Sequence, residues 1–159
     1  MKISLVQENP VVGDIDGNAS MAKDYILENE SSGSELIVFS ELFITGYPPE
    51  DLLLRDDFLI SAKESVENLS SFIKKSKVLI GLPTMEEGKR YNSAALIDQS
   101  GIIQIYNKHV LPNYIEFDEK RYFSNGNSKN YFRIDDIKIG LSICEDIWDE
   151  GFIELQKEN

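Results

Sequence analysis

The sequence predicts a layered α/β fold. Three observations carry this: short apolar runs that do not alternate with polar residues, amphipathic stripes at helical spacing between those runs, and turn-forming residues at most of the junctions. A continuous apolar run suits a strand covered on both faces, and apolar residues three and four apart suit a helix lying on a sheet. At 159 residues and 42% apolar content, the chain can bury one core of ordinary size.

The elements follow in order. Ile3 to Gln7 reads as a first strand, followed by the turn-rich Asn9-Pro10-Val11-Val12-Gly13-Asp14. A helix is expected from about Gly17 to Glu30, with Met21, Tyr25 and Ile26 on its inner side and Asp16 as its cap. Ser31-Ser32-Gly33-Ser34 breaks it. Glu35 to Phe39 is a second strand, and Gly46-Tyr47-Pro48-Pro49 a loop. Phe58, Ala62, Val66, Leu69 and Ile73 then mark one face of a long helix. Lys77 to Leu82 is a third strand. Ser93 to Ile97 and Ile102 to Tyr106 flank the turn Asp98-Gln99-Ser100-Gly101, a hairpin signal. From Asn107 to Asn130 no period is sustained, and loops of that length inside a domain tend to be functional or disordered; the aromatic content favours order. Tyr131 to Ile134 and Lys138 to Ile143 form a last hairpin around Asp135-Asp136, with the second strand running into Cys144.

Composition excludes several classes. A net charge of −12, with Lys and Arg never clustered, argues against nucleic acid. No apolar run approaches the ~20 residues of a membrane span, and the N-terminus turns polar before a signal-peptide core forms. The expected location is the cytoplasm. One cysteine excludes an intrachain disulfide and a multi-cysteine metal site, and the single His lacks partner ligands, so no metal is expected. What remains is a buried thiol, a reactive one or an accident of sequence.

Three strand ends carry reactive groups: Glu41, Lys108 and Cys144. In layered α/β folds, strand ends bring distant residues to one pocket. A carboxylate there can take a thiol proton, a thiolate can attack an electrophilic carbon, and an ammonium can stabilise the oxyanion that forms. Singly, each has an ordinary explanation: a small buried hydrophobe, a loop cap, a solvated lysine.

Together the segments resemble a known family. Ser40-Glu41-Leu42-Phe43-Ile44-Thr45-Gly46-Tyr47, Asn107-Lys108-His109-Val110-Leu111-Pro112 and Cys144-Glu145-Asp146-Ile147-Trp148 are similar to the three ordered motifs of the nitrilase, or carbon-nitrogen hydrolase, superfamily. Tyr47-Pro48-Pro49-Glu50-Asp51-Leu52-Leu53 and Phe117-Asp118-Glu119-Lys120-Arg121-Tyr122-Phe123 resemble, more narrowly, the N-terminal glutaminase domains of glutamine-dependent NAD synthetases. The resemblance implies an αββα sandwich, with residues 1–159 the N-terminal part of a single such domain, incomplete at the C-terminus and without the synthetase domain.

It also implies roles. Glu41 would be the general base, Lys108 the oxyanion stabiliser, Cys144 the nucleophile and the Glu145 N–H a second oxyanion donor. Glu119 matches an additional glutamate beyond the lysine, with Glu116 its competitor. Tyr47, Tyr114 and Glu145 would bind substrate, although aromatics on loops also serve as packing anchors. The implied reaction is glutamine amide hydrolysis through a γ-glutamyl thioester, without organic cofactor, feeding ammonia to a synthetase domain or chain, with a homo-oligomer in the full-length form. The alternatives are a non-catalytic remnant or interaction module, and an amidase or nitrilase acting on another small carbon-nitrogen substrate. One local departure is Ile115-Glu116, where the family pattern has Gly and an apolar residue. No Gly-rich phosphate loop is present.

Overall fold

The computed structural model describes residues 1–127 and 131–158; the end of the long irregular stretch, 128–130, and residue 159 lie outside the described residues. Strand β1 (Ile3–Leu5) is followed by helix α1 (Ile15–Ser31), β2 (Leu36–Val38) and α2 (Asp56–Leu69). Next come β3 (Lys77–Glu86), β4 (Lys89–Asp98), β5 (Gly101–Asn107), the hairpin β6 (Tyr131–Ile134) and β7 (Ile137–Gly140), and α3 (Glu150–Glu158). The first five strands form one sheet in the order β1-β2-β3-β4-β5, and β6 and β7 form a second. Pairing is parallel from β1 to β3 and antiparallel from β3 to β5.

The mixed sheet explains why its strand sequences lack alternation: both faces are covered. Ile37, Val78, Ile80, Leu82, Ala95 and Ile97 pack with Ala22 and Ile26 of α1 and Ala62, Val66 and Leu69 of α2. On the other face, Leu36, Leu96 and Tyr106 share an apolar cluster with Phe132 and Ile134 of β6, Leu141 and Ile143 of the following loop, and Phe152 of α3. Helices, sheet and hairpin thus stack as three layers, with apolar contact on both sides of β2 to β5.

Several expectations change in detail. The cap of α1 is Asp14, whose carboxylate accepts from the Gly17 N–H at 3.0 Å, and Asp16 lies in the first turn instead. The stripe of α2 runs through Leu59, Ala62, Val66 and Leu69; Phe58 is only half-buried, and Ile73 lies beyond the helix, just after a short 3-10 extension, Ser70–Phe72. The third strand continues four residues past Leu82, through Pro83, into a hairpin with β4 at Glu87-Gly88, where both residues have positive φ. That turn was invisible as a hairpin because its flanks are polar. Strand β7 ends at Gly140, so Leu141-Ser142-Ile143 is a connecting loop and no strand runs into Cys144. No helix among the described residues is long and apolar enough to cross a membrane.

Candidate active site

Glu41 lies in a tight turn just after β2. The turn presses against β3 at Gly81, where a Cβ would run into the backbone of Ser40, Glu41 and Leu42. Only glycine leaves room for this approach. The Glu41 carboxylate is held through one oxygen, Oε1, which accepts from Asn92 Nδ2 at 2.6 Å and from Lys108 Nζ at 2.8 Å.

Lys108 follows β5 directly and its side chain is 0% exposed. Its N–H donates to the Asn92 carbonyl at 2.8 Å, and its own carbonyl accepts from the Gly126 N–H at 2.8 Å. The ammonium also donates to both oxygens of Glu119 at 3.0 Å. Those contacts, with the one to Glu41, occupy the three protons an ammonium has. Glu119, buried at the start of a 3-10 turn, accepts a further bond from the Tyr47 hydroxyl at 3.2 Å. Glu116 is exposed and stands apart from this row. Ile115 has φ +53°, so the expected glycine's left-handed backbone persists with a β-branched residue, 94% exposed, in its place.

Cys144 opens a short 3-10 turn, Cys144–Trp148, and is exposed. Its φ of +45° places a non-glycine residue in the left-handed region, a conformation that costs about 1–3 kcal/mol and concentrates at functional sites. Cys144 and Glu41 line the same small cavity of about 150 Å³, together with Ser40, Ser93 and Ile143. A larger hollow of about 530 Å³ lies behind Tyr47 and Glu119, walled by Pro48, Phe117 and Tyr122, and does not include Cys144. The smaller space is thus the one that brings the thiol and a carboxylate together. Next to Cys144 in sequence, Glu145 accepts from the Tyr114 hydroxyl at Oε2, 2.9 Å away, so these two residues form a pair on the surface.

The electrostatics follow from this packing. Partial desolvation pushes the Cys144 thiol above its ordinary pKa, and the charges of Glu41 and Glu119 push the same way against Lys108 and the Glu145 N–H. Burial works against the Lys108 charge, but Glu41 and Glu119 override it and the net shift is upward. Burial raises Glu119, only partly offset by Lys108. Tyr47 is raised by burial and by the neighbouring carboxylates. In its resting form the site is thus a thiol beside an ammonium, with one carboxylate that is open to the cavity and another that is enclosed.

Glu41, Lys108, Glu119 and Tyr47 are brought into one hydrogen-bonded row, and Cys144 shares a cavity with its Glu41 end. Tyr114 and Glu145 pair with each other beside Cys144. Sequence reasoning missed Asn92, fully buried, whose side-chain amide donates to Glu41 and whose backbone carbonyl accepts from the Lys108 N–H, and Asp146, a fully buried carboxylate. The signal for Asn92 was a lone polar residue opening the apolar run Ser93 to Ile97; for Asp146 it was a second acid directly after Glu145. Among the described residues no cluster of His, Cys, Asp and Glu is arranged to hold a metal.

Comparison with known proteins agrees with this architecture. Residues 2–154 match the carbon-nitrogen hydrolase family. The glutamine-dependent NAD(+) synthetase of Thermotoga maritima is 42% identical over 153 residues, covering 93% of this chain and 26% of that protein. The structure of the glutamine-dependent NAD+ synthetase of Acinetobacter baumannii superposes with a TM-score of 0.93 at 36% identity, over 98% of this chain and 30% of that one. An amidase of the nitrilase superfamily from Nesterenkonia AN1 superposes at 0.83 with 21% identity, over 96% of this chain and 59% of that one, a likeness of fold. The chain thus spans under a third of the length of the synthetases it matches. By sequence along almost its whole length and by fold, it belongs to the carbon-nitrogen hydrolase family.

Proposed function

We propose that this chain carries the cysteine-dependent amide-hydrolysing site of a glutaminase, with Glu41, Lys108 and Cys144 as its working groups and Glu119 as their support. The observation that carries the reading is the Glu41–Lys108–Glu119 row, whose Glu41 end lines one cavity with Cys144. Both bonds to Glu41 fall on Oε1, and among the described residues Oε2 has none, so it remains as an acceptor for the thiol proton.

A thiol held above its ordinary pKa needs that base, because little thiolate exists at neutral pH. Glu41 takes the proton as sulfur adds to the amide carbon of glutamine. The oxyanion is met by Lys108, which gives up one of its two bonds to Glu119, and by the Glu145 N–H. Collapse breaks the C–N bond, with Glu41 returning the proton to the leaving ammonia. Water, deprotonated by Glu41, then hydrolyses the γ-glutamyl thioester to glutamate and restores the thiol. Tyr47, Tyr114 and Glu145 are the substrate-binding residues in this reading, with the Glu145 carboxylate taking the α-amino group. Glutamine as substrate, and an ammonia-consuming synthetase domain or chain as partner, are supported by the names of the relatives. A homo-oligomer and a cytoplasmic location belong to the same proposal.

The test is intact-mass analysis after incubation with a diazo-ketone glutamine analogue. One adduct is expected, absent in Cys144→Ala and suppressed by excess glutamine. A folded chain that takes no adduct overturns the glutaminase reading; an adduct that another small amide suppresses and glutamine does not would transfer the site to a different amide.

A further inference from the structure

Asp146 is 0% exposed and accepts four hydrogen bonds. Oδ1 takes the N–H groups of His109 and Val110, at 3.0 and 2.8 Å. Oδ2 takes the Tyr106 hydroxyl at 2.6 Å and the Ile143 N–H at 2.8 Å. Among the described residues no cation pairs with it. Burying a carboxylate on neutral donors alone is expensive, and here three backbone N–H groups and a hydroxyl, which an apolar residue would leave without an acceptor, offset that cost.

The arrangement of the donors is informative. Tyr106 and His109 bracket Lys108, with Val110 one residue further on, while Ile143 immediately precedes Cys144. One side chain thus hydrogen-bonds both backbone segments that deliver the ammonium and the thiol, which along the chain are separated by a long loop and a separate sheet. It also closes the turn in which Cys144 is held at positive φ. Tyr106 is locked in turn: burial and its bond to Asp146 raise its pKa, so the hydroxyl stays a donor throughout the working range.

We infer that Asp146 is a positioning residue that sets the register of the Cys144 turn against the Lys108 loop. It does not touch substrate. The inference rests on the glutaminase reading for its rate effect, but its second readout is independent of any substrate.

Asp146→Asn keeps the shape and leaves one acceptor oxygen where two are needed, so an NH2 faces donors on one side. Slowing of diazo-ketone labelling by on the order of 100-fold is expected, the scale of a displacement near 1 Å. The second readout is the pH profile of Cys144 alkylation by iodoacetamide. The thiol is faced by Glu41, Glu119, Lys108, Glu145, Tyr47 and Tyr114, and desolvation, followed by the carboxylates, outweighs the rest. Loosening the turn lets the thiol leave that field, so the alkylation midpoint falls toward the ordinary cysteine value.

Ile134→Ala, a packing change in the apolar cluster beside Ile143, is the stability-matched control. If Asp146→Asn labels and titrates as that control does at equal fraction folded, the positioning role is wrong. If Asp146→Asn does not fold, Tyr106→Phe carries the comparison. It removes one of the four bonds and is expected to move both readouts in the same direction by a smaller amount; no movement relative to Ile134→Ala overturns the proposal. Should the wild-type chain take no glutamine analogue, the glutaminase reading fails, and the alkylation midpoint alone decides for or against Asp146.

Discussion

Replacing Lys108 by methionine isolates what the ammonium contributes. The apolar stem is retained and the charge deleted, so cavity formation is a small part of the result. Lys108 is fully buried and makes bonds of 2.8 Å to Glu41 and 3.0 Å to each oxygen of Glu119. Glu119 is 5% exposed and has no other cation within salt-bridge distance among the described residues. Breaking a buried pair from one side costs about 3–5 kcal/mol, a large share of the ~5–15 kcal/mol by which domains are ordinarily stable. With a urea m-value of about 2 kcal/mol per M, the unfolding midpoint falls by about 1.5–2.5 M.

The pH dependence carries the sharper test. Burial already holds Glu119 above the ordinary carboxylate pKa beside Lys108, and removing the cation sends it higher. A carboxyl raised in the folded state favours folding while protonated and loses that contribution as pH rises through its folded value. The Lys108→Met penalty is therefore largest at neutral pH and shrinks on acidification. Adding Glu119→Gln to the variant recovers most of the loss at neutral pH. Urea unfolding followed by circular dichroism at about pH 7.5 and about pH 5 measures all three chains. A penalty equal at both values, or no recovery in the double variant, refutes the picture of Glu119 as an ionised carboxylate sustained by Lys108. If Lys108→Met has no folded baseline, restoration of a cooperative transition by Glu119→Gln is the same positive result.

Other outcomes follow from neighbouring features. Glu41→Gln removes one of the charges that hold the thiol up, so the iodoacetamide midpoint of Cys144 falls while labelling by the glutamine analogue slows by about 10²–10⁴, the ordinary worth of a general base. Opposite signs in the two assays are the signature, and a common direction would count against Glu41 as base. Gly81→Ala forces a methyl into the backbone of Ser40–Leu42; a loss of about 1–3 kcal/mol is expected in thermal unfolding, together with reduced labelling, because the displaced segment carries Glu41. Tyr47→Phe deletes a single 3.2 Å bond to Glu119 and should lower stability by about 0.5–1.5 kcal/mol, a melting shift of a few degrees.

How much of this was legible beforehand depended on whether a property is local. The runs through Ile37 and Ile80 announced their strands because both faces of the sheet are covered, so no polar residue interrupts them. The turn Asp98-Gln99-Ser100-Gly101 announced itself by composition. Glu87-Gly88 did not, because its strands extend past the core, and Pro83 looked like an end although it pairs with Asn92 inside the ladder. The choice of Asp16 over Asp14 as cap fails for the same reason that helix ends are hard to read: two acids of equal quality stand two residues apart, and only the backbone geometry separates them. In the site, motif residues were readable one by one. What could not be read was their mutual satisfaction, such as Asn92 bonding Glu41 51 positions away or Tyr106 bonding Asp146 40 away. Pairings of that kind exist only after the sheet has formed.

Strand β1 has a consequence of a different sort. It is three residues long and, among the described residues, pairs with β2 alone, leaving Ile3 45% and Leu5 75% exposed beside an open row of backbone donors and acceptors. Two such edges can add to one another, and at neutral pH the opposing influence is the mutual repulsion of chains that each carry −12. Salt or acid weakens that repulsion while leaving the apolar edge unchanged. Light scattering should therefore rise with ionic strength and on acidification before the fold itself melts, making colloidal behaviour, rather than unfolding, the property that limits how this chain is handled.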